Sequence, residues 1–122
     1  MGRHAAVLAD EGGELMGKIK AIVKRADEEY GHTTWISNSL INYQRIVGGY
    51  IETLTLCEDP TSDPIVIICN EEGLINGLPF NCSVGGHLIH GDIAVVGTDG
   101  EDFADIPIDF KTWKSVWLGV SE

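Results

Sequence analysis

The chain has 122 residues, 43% of them hydrophobic and 22% charged, a size and balance that suit one folded domain and argue against intrinsic disorder. Eight basic residues stand against 19 acidic ones, for a formal charge of −11. Nucleic-acid grooves and anionic membrane surfaces are gripped by clustered lysines and arginines, so both are disfavoured as partners, while a small anion held by one local cation stays open.

Residues 1–17 have no steady periodicity and read as an N-terminal extension, leaving residues 18–122 as a single domain. Over residues 18–24, Ile19, Ala21 and Val23 alternate with lysines, the pattern of a first strand, although Ile22 interrupts it. ADEEYGH turns the chain, and the β-branched and aromatic residues 33–36 return as the hairpin partner. Ser37, Asn38 and Ser39 offer a helix N-cap; Leu40, Tyr43, Ile46 and Val47 then fall on one helical face, and Gly48 stands where a left-handed residue closes a helix. Residues 49–56 form the next strand and CEDPTSD an exposed acidic loop. The unbroken apolar run of residues 64–70 predicts a strand inside the sheet with both faces covered. EEG turns the chain with Gly73 at positive φ, and LINGLPFN returns as a strand that bends at Gly77 and Pro79. SVGGHLIHG is a loop or another hairpin, residues 93–96 are a buried strand and TDGED is a turn. Residues 108–117 give a second helix with Phe110, Trp113, Val116 and Trp117 on its apolar side. The sum is an α+β fold, a mainly antiparallel sheet of about five to six strands with two short helices on one face.

Cys57, Cys69 and Cys82 are odd in number and form no CxxC pair, so a disulfide framework is disfavoured and a reducing compartment indicated. No apolar stretch approaches the roughly 20 residues of a membrane span, and the polar N-terminus lacks a secretory core; the expected location is the cytoplasm.

The titratable residues point to recognition more than to catalysis. His87 and His90, beside Asp92, read as exposed loop histidines, since a metal needs three or four ligands in fixed reach. Asp99, Glu101, Asp102, Asp105 and Asp109 read as a solvated turn leading into a helix N-terminus, because a calcium loop carries its glycine at the sixth position and here it stands second. Glu71 and Glu72 fall on a wet turn. Glu52 shares a strand face with Tyr50 and Leu54, mixing acid, aromatic and apolar groups; this is either a partner-binding face or an ordinary half-exposed strand. Asn70, Asn76 and Asn81 either bond their own backbone in turns or converge as amides lining a ligand pocket. Arg45 lies across the helix from Leu40 and Tyr43 and is expected to be exposed. Neither a Walker loop, a GxGxxG, an HExxH nor a nucleophile elbow occurs, which tilts the reading away from an enzyme and names no catalytic residue and no metal ligand.

At GGYIETLTL, ICNEEGLINGLPFN and VGTDGEDF the chain resembles the family known as domain of unknown function 3846, over about residues 18–117. Its motif positions here are Gly48, Gly49, Tyr50, Glu52, Asn70, Glu71, Gly73, Gly77, Pro79 and Asn81; Cys82 stands where the family often has a positive residue, which weakens an anion site beside Asn81. The resemblance implies a small protein of phages, prophages or plasmids. From it follows the expectation of a non-enzymatic factor in the host cytoplasm that sequesters a small ligand, in the first place a nucleotide-derived immune signal, as a counter-defence. Tyr50 would stack a base, and Glu52, Asn70, Asn76 and Asn81 would read its edge or a ribose, in a pocket formed between identical subunits and without a cofactor. The alternative is an acidic protein-interaction factor that inhibits or decoys a host protein. A nucleotide hydrolase using Glu71, Glu72 or His87 is the third expectation.

Overall fold

In the computed structural model, which describes residues 17–120, eight strands and two short helices follow one another along the chain. The greater part of the expected extension, residues 1–16, lies outside the described residues. The elements are β1 (Lys18–Lys24), β2 (His32–Ser37), α1 (Leu40–Val47), β3 (Ile51–Leu56), β4 (Ile65–Asn70), β5 (Phe80–Val84), β6 (His87–His90), β7 (Ile93–Asp99), β8 (Asp102–Ala104) and α2 (Phe110–Thr112), the last running on into a π-helical turn, Trp113–Trp117. The main sheet runs β2-β1-β7-β4-β3, with β8 added along the far end of β7; β5 and β6 form a separate two-stranded hairpin. Every pairing is antiparallel.

Side-chain alternation divides the core into two layers. Ala21, Val66, Ile68, Ala94 and Val96 point to one face, where Tyr43 and Val47 of α1 cover them. Ile22, Ile65, Ile67, Ile93 and Val95 point to the other, under Cys82, Val84 and Ile89 of the hairpin and Trp113. All six residues of β4 are buried for this reason, and each fully covered Ile or Val contributes about 1.5–3 kcal/mol relative to exposure. The helices therefore sit on opposite faces rather than on one. Strands β4 and β7 are apolar at consecutive positions, so both sheet faces need a cover, and one short helix cannot supply both.

Local chemistry fixes α1 as read. Ser39 is extended, and its Oγ accepts from the Asn42 N–H at 3.2 Å. Gly48 closes the helix at φ 79°, its N–H donating to the Gln44 carbonyl. The Tyr43 hydroxyl donates to Asn38 Oδ1 at 2.6 Å, and Asn38 Nδ2 donates to the Phe103 carbonyl, which ties α1 to β8.

Four expectations shift. The second helix starts at Phe110 rather than 108, after Asp109 caps it by accepting the Thr112 N–H at 2.8 Å, and its second half is π-helical. The returning strand begins only at Phe80. Residues 71–77 are turn, because the N–H groups of Gly73, Asn76, Gly77 and Leu78 bond carbonyls three to five residues back and leave no ladder to form. Gly73 does not have positive φ; a Cβ there would lie 2.5 Å from the His90 carbonyl oxygen, so close approach requires the glycine. SVGGHLIHG is a hairpin, with Gly85 and Gly86 both at positive φ in its two-residue turn, and His87 and His90 stand on a strand rather than a loop.

Candidate functional site

Two recesses flank the start of β3. The first is a cleft of about 210 Å³ between β3, β6 and the turn over residues 71–77. Glu52 and Leu54, two apart on β3, enter it together, as the period of a strand requires. Cys69 and Asn70 lie along it from β4, Glu71 and Leu74 come from the turn, and His87 to His90 from the hairpin. Its deeper polar groups are already engaged. Asn70 is buried; Nδ2 donates to the Val47 carbonyl at 3.1 Å and Oδ1 accepts from the Glu72 N–H at 2.7 Å. The Cys69 thiol contacts the Glu52 carbonyl oxygen at 3.6 Å; burial, and secondarily the Glu52 carboxylate, push its pKa up to about 11. His90 Nδ1 lies 3.1 Å from the Leu78 carbonyl oxygen, so Nδ1 is the donor and Nε2 of the neutral ring an acceptor. Among the described residues no lysine or arginine lines this cleft.

The second recess, of about 370 Å³, lies on the α1 side and is walled by Ile41, Gln44, Arg45, Gly49 and Tyr50. The ends of α1 and β3 build it. Gly48 and Gly49 turn the chain so tightly that Tyr50 lies back beside Arg45, one helical turn before the cap. Ile41 and Tyr50 are 59% and 72% exposed, two large apolar side chains on the wall of one recess. Arg45 makes no ion pair among the described residues. The Glu71 N–H donates to the Tyr50 carbonyl at 2.9 Å, which joins the rims of the two recesses.

The five residues singled out from sequence separate in space. Tyr50 lines the α1 recess, while Glu52 and Asn70 line the cleft. Asn76 is exposed on the turn, its N–H donating to the Glu72 carbonyl. Asn81 is buried elsewhere, at an irregularity where β5 carries one residue more than β6 between Phe80 and Cys82. The extra residue turns its side chain to the main sheet, as bulges do. Its Nδ2 donates to the carbonyls of Lys24 and Gly91 at 2.9 and 2.8 Å, and buried Lys24 Nζ returns a bond to the Asn81 carbonyl. Asn70 and Asn81 thus hold backbone together. Sequence reasoning passed over Ile41 and Arg45 as recess walls, although their positions four apart on a helix were a usable signal. It also left the segment of His87 and His90 as a loop or a hairpin and read the pair as loop histidines, where no strand could aim them. Among the described residues no three His, Cys, Asp or Glu side chains are grouped to hold a metal ion, and no helix is long and apolar enough to cross a membrane.

An antiparallel sheet with a helix on one face, a hairpin and helical turn on the other, and two shallow recesses at one corner defines a small α+β domain. Residues 19–116 match the model of the family described as Domain of unknown function (DUF3846), and the chain belongs to that family. No curated protein and no solved structure matches it.

Proposed function

We propose that this protein is a non-enzymatic binding module that captures a small, planar, nucleotide-like ligand in the recess formed by Ile41, Arg45 and Tyr50. The observation that carries the reading is an exposed aromatic ring beside a guanidinium that has no ion-pair partner among the described residues, over an apolar recess of about 370 Å³. That volume suits a small ligand, which the 210 Å³ cleft does less well. Tyr50 supplies a stacking face, and Arg45 a local cation for a phosphate on an otherwise acidic chain. In a phage or mobile-element setting such capture serves counter-defence, by withdrawing a nucleotide-derived immune signal from the host cytoplasm.

Calorimetric titration with a nucleoside monophosphate, the matching nucleoside and inorganic phosphate tests the reading. Base stacking contributes about 1–3 kcal/mol, so Tyr50→Ala should weaken nucleotide binding roughly tenfold or more. Arg45→Gln should remove the preference for the phosphorylated ligand. Equal affinity of wild type and Tyr50→Ala, or no saturable heat with any of the three, refutes it. Native mass spectrometry of protein from infected cells reports a co-purified ligand and the subunit count together.

A second reading, an acidic factor that inhibits or decoys a host protein, is favoured by the charge of −11 together with the 71% and 72% exposed side chains of Leu74 and Leu88 on the rim of the acidic cleft. A pull-down from host lysate at low and high salt tests it, a partner lost on screening being the expected result.

A further inference from the structure

We propose that the cleft between β3 and β6 receives a single arginine side chain from an extended segment of a protein partner. The proposal deepens the second reading and rests on it. Three features of the cleft select that occupant.

The first is the character of its free polar groups. Asn70 spends its amide on the Val47 carbonyl and the Glu72 N–H, and the Cys69 thiol faces the Glu52 carbonyl. What remains for an occupant is the Glu52 carboxylate, which makes no hydrogen bond or ion pair among the described residues, with His87 and with Nε2 of His90, an acceptor because Nδ1 is directed to Leu78. A lining that offers a carboxylate and a ring-nitrogen acceptor, with no lysine or arginine among the described residues, repels an anion and suits a donor-rich cation. Guanidinium, with five N–H donors in a planar fork, matches it better than an ammonium point charge.

The second feature is the rim. Leu74 and Leu88 stand on opposite elements, the turn and the hairpin, and both are more than two-thirds exposed. A charged head at Glu52 leaves the methylene stem of its side chain to lie between two such apolar groups, the usual way a long basic side chain is seated. The third is size. A cleft of about 210 Å³ is small for a whole nucleotide but fits one long side chain. The net charge of −11 adds long-range attraction for a basic segment and disfavours a second copy of the same chain as the occupant.

The test uses the full chain, a pentapeptide acetyl-Ala-Leu-Arg-Leu-Ala-amide, and the same peptide with citrulline in place of arginine. Citrulline keeps the shape and removes the charge. Amide chemical shifts are followed during titration, since a single side chain binds weakly. The arginine peptide should shift the amides of Glu52, Leu74, His87 and Leu88 and saturate, with the citrulline peptide about three- to fivefold weaker, the worth of one solvent-exposed ion pair. Glu52→Gln should bring the arginine peptide down to the citrulline level. Glu101→Gln, which removes the same charge from an exposed turn outside the cleft, should leave it unchanged. Equal binding of the two peptides, equal loss in both variants, shifts confined to another surface, or no saturable binding each overturns the proposal. The pull-down separates its failure from that of the parent reading. A salt-sensitive host partner captured equally by wild type and Glu52→Gln sinks the arginine cleft and leaves the protein-interaction reading standing; no salt-sensitive partner at all sinks both.

Discussion

Replacing Asn81 by alanine should destabilise the fold substantially. The side chain fastens the β5–β6 hairpin to the main sheet through two buried bonds from one Nδ2, to Lys24 on β1 and to Gly91 beyond β6. Alanine leaves both carbonyls without that donor, at about 1–3 kcal/mol for each buried group. One offset works the other way. Asn81 Oδ1 is buried and has no hydrogen-bond partner among the described residues, so its removal returns roughly one such penalty. The bond from Lys24 Nζ goes to the Asn81 backbone and survives. The net loss is then about 2 kcal/mol, which for a chain of this length lowers the melting temperature by roughly 5–12 °C. Urea denaturation followed by tryptophan fluorescence reads it as a lower midpoint at unchanged slope. Asn76→Ala is the control; that side chain sits on an exposed turn, and its change should stay within about 0.5 kcal/mol. If Asn81→Ala is no less stable than Asn76→Ala, the clamp does not hold the hairpin.

Thiol chemistry and one backbone contact give three further tests. Burial raises the pKa of both Cys69 and Cys82, for Cys69 to about 11, whereas Cys57 is exposed. A disulfide reagent at pH 8 should therefore modify Cys57 quickly and the other two only on unfolding; rapid modification of all three would contradict the burial. Both buried thiols keep their protons to higher pH in the folded state than in the unfolded chain. Their contribution to stability is thus complete below about 9, the ordinary thiol value, and is lost as pH rises through their folded-state values, about 11 for Cys69. Urea midpoints should fall over that window, and a Cys69→Ala, Cys82→Ala double variant should show a smaller fall. Gly73→Ala forces a Cβ to 2.5 Å from the His90 carbonyl and should cost about 1–3 kcal/mol, the range for an overpacked site; an unchanged melting temperature would show that the turn and β6 can part at no cost.

The sequence by itself determined the fold class and most of the ladder. Period-2 alternation in β1, the unbroken apolar run of β4 and the Ser39 cap with Gly48 closure in α1 are local signals, and each element formed where its own residues asked for it. The side on which each helix packs was not legible, because an apolar run states that two faces are buried without naming the cover. Gly73 shows the same limit. Its identity announced a backbone requirement, but the requirement is the distant His90 carbonyl rather than a local dihedral. At the recesses, Glu52 and Tyr50 were visible as an acid and an aromatic on one strand pattern, yet the tight turn at Gly48 and Gly49 sends Tyr50 to the α1 side and leaves Glu52 facing the hairpin. Asn70 and Asn81 could be read as turn residues or as ligand amides until tertiary contacts supplied each with buried carbonyls to bond. Neighbours along the chain set dihedrals and period; only the packed fold decides which polar groups are already satisfied and which are left to meet a partner.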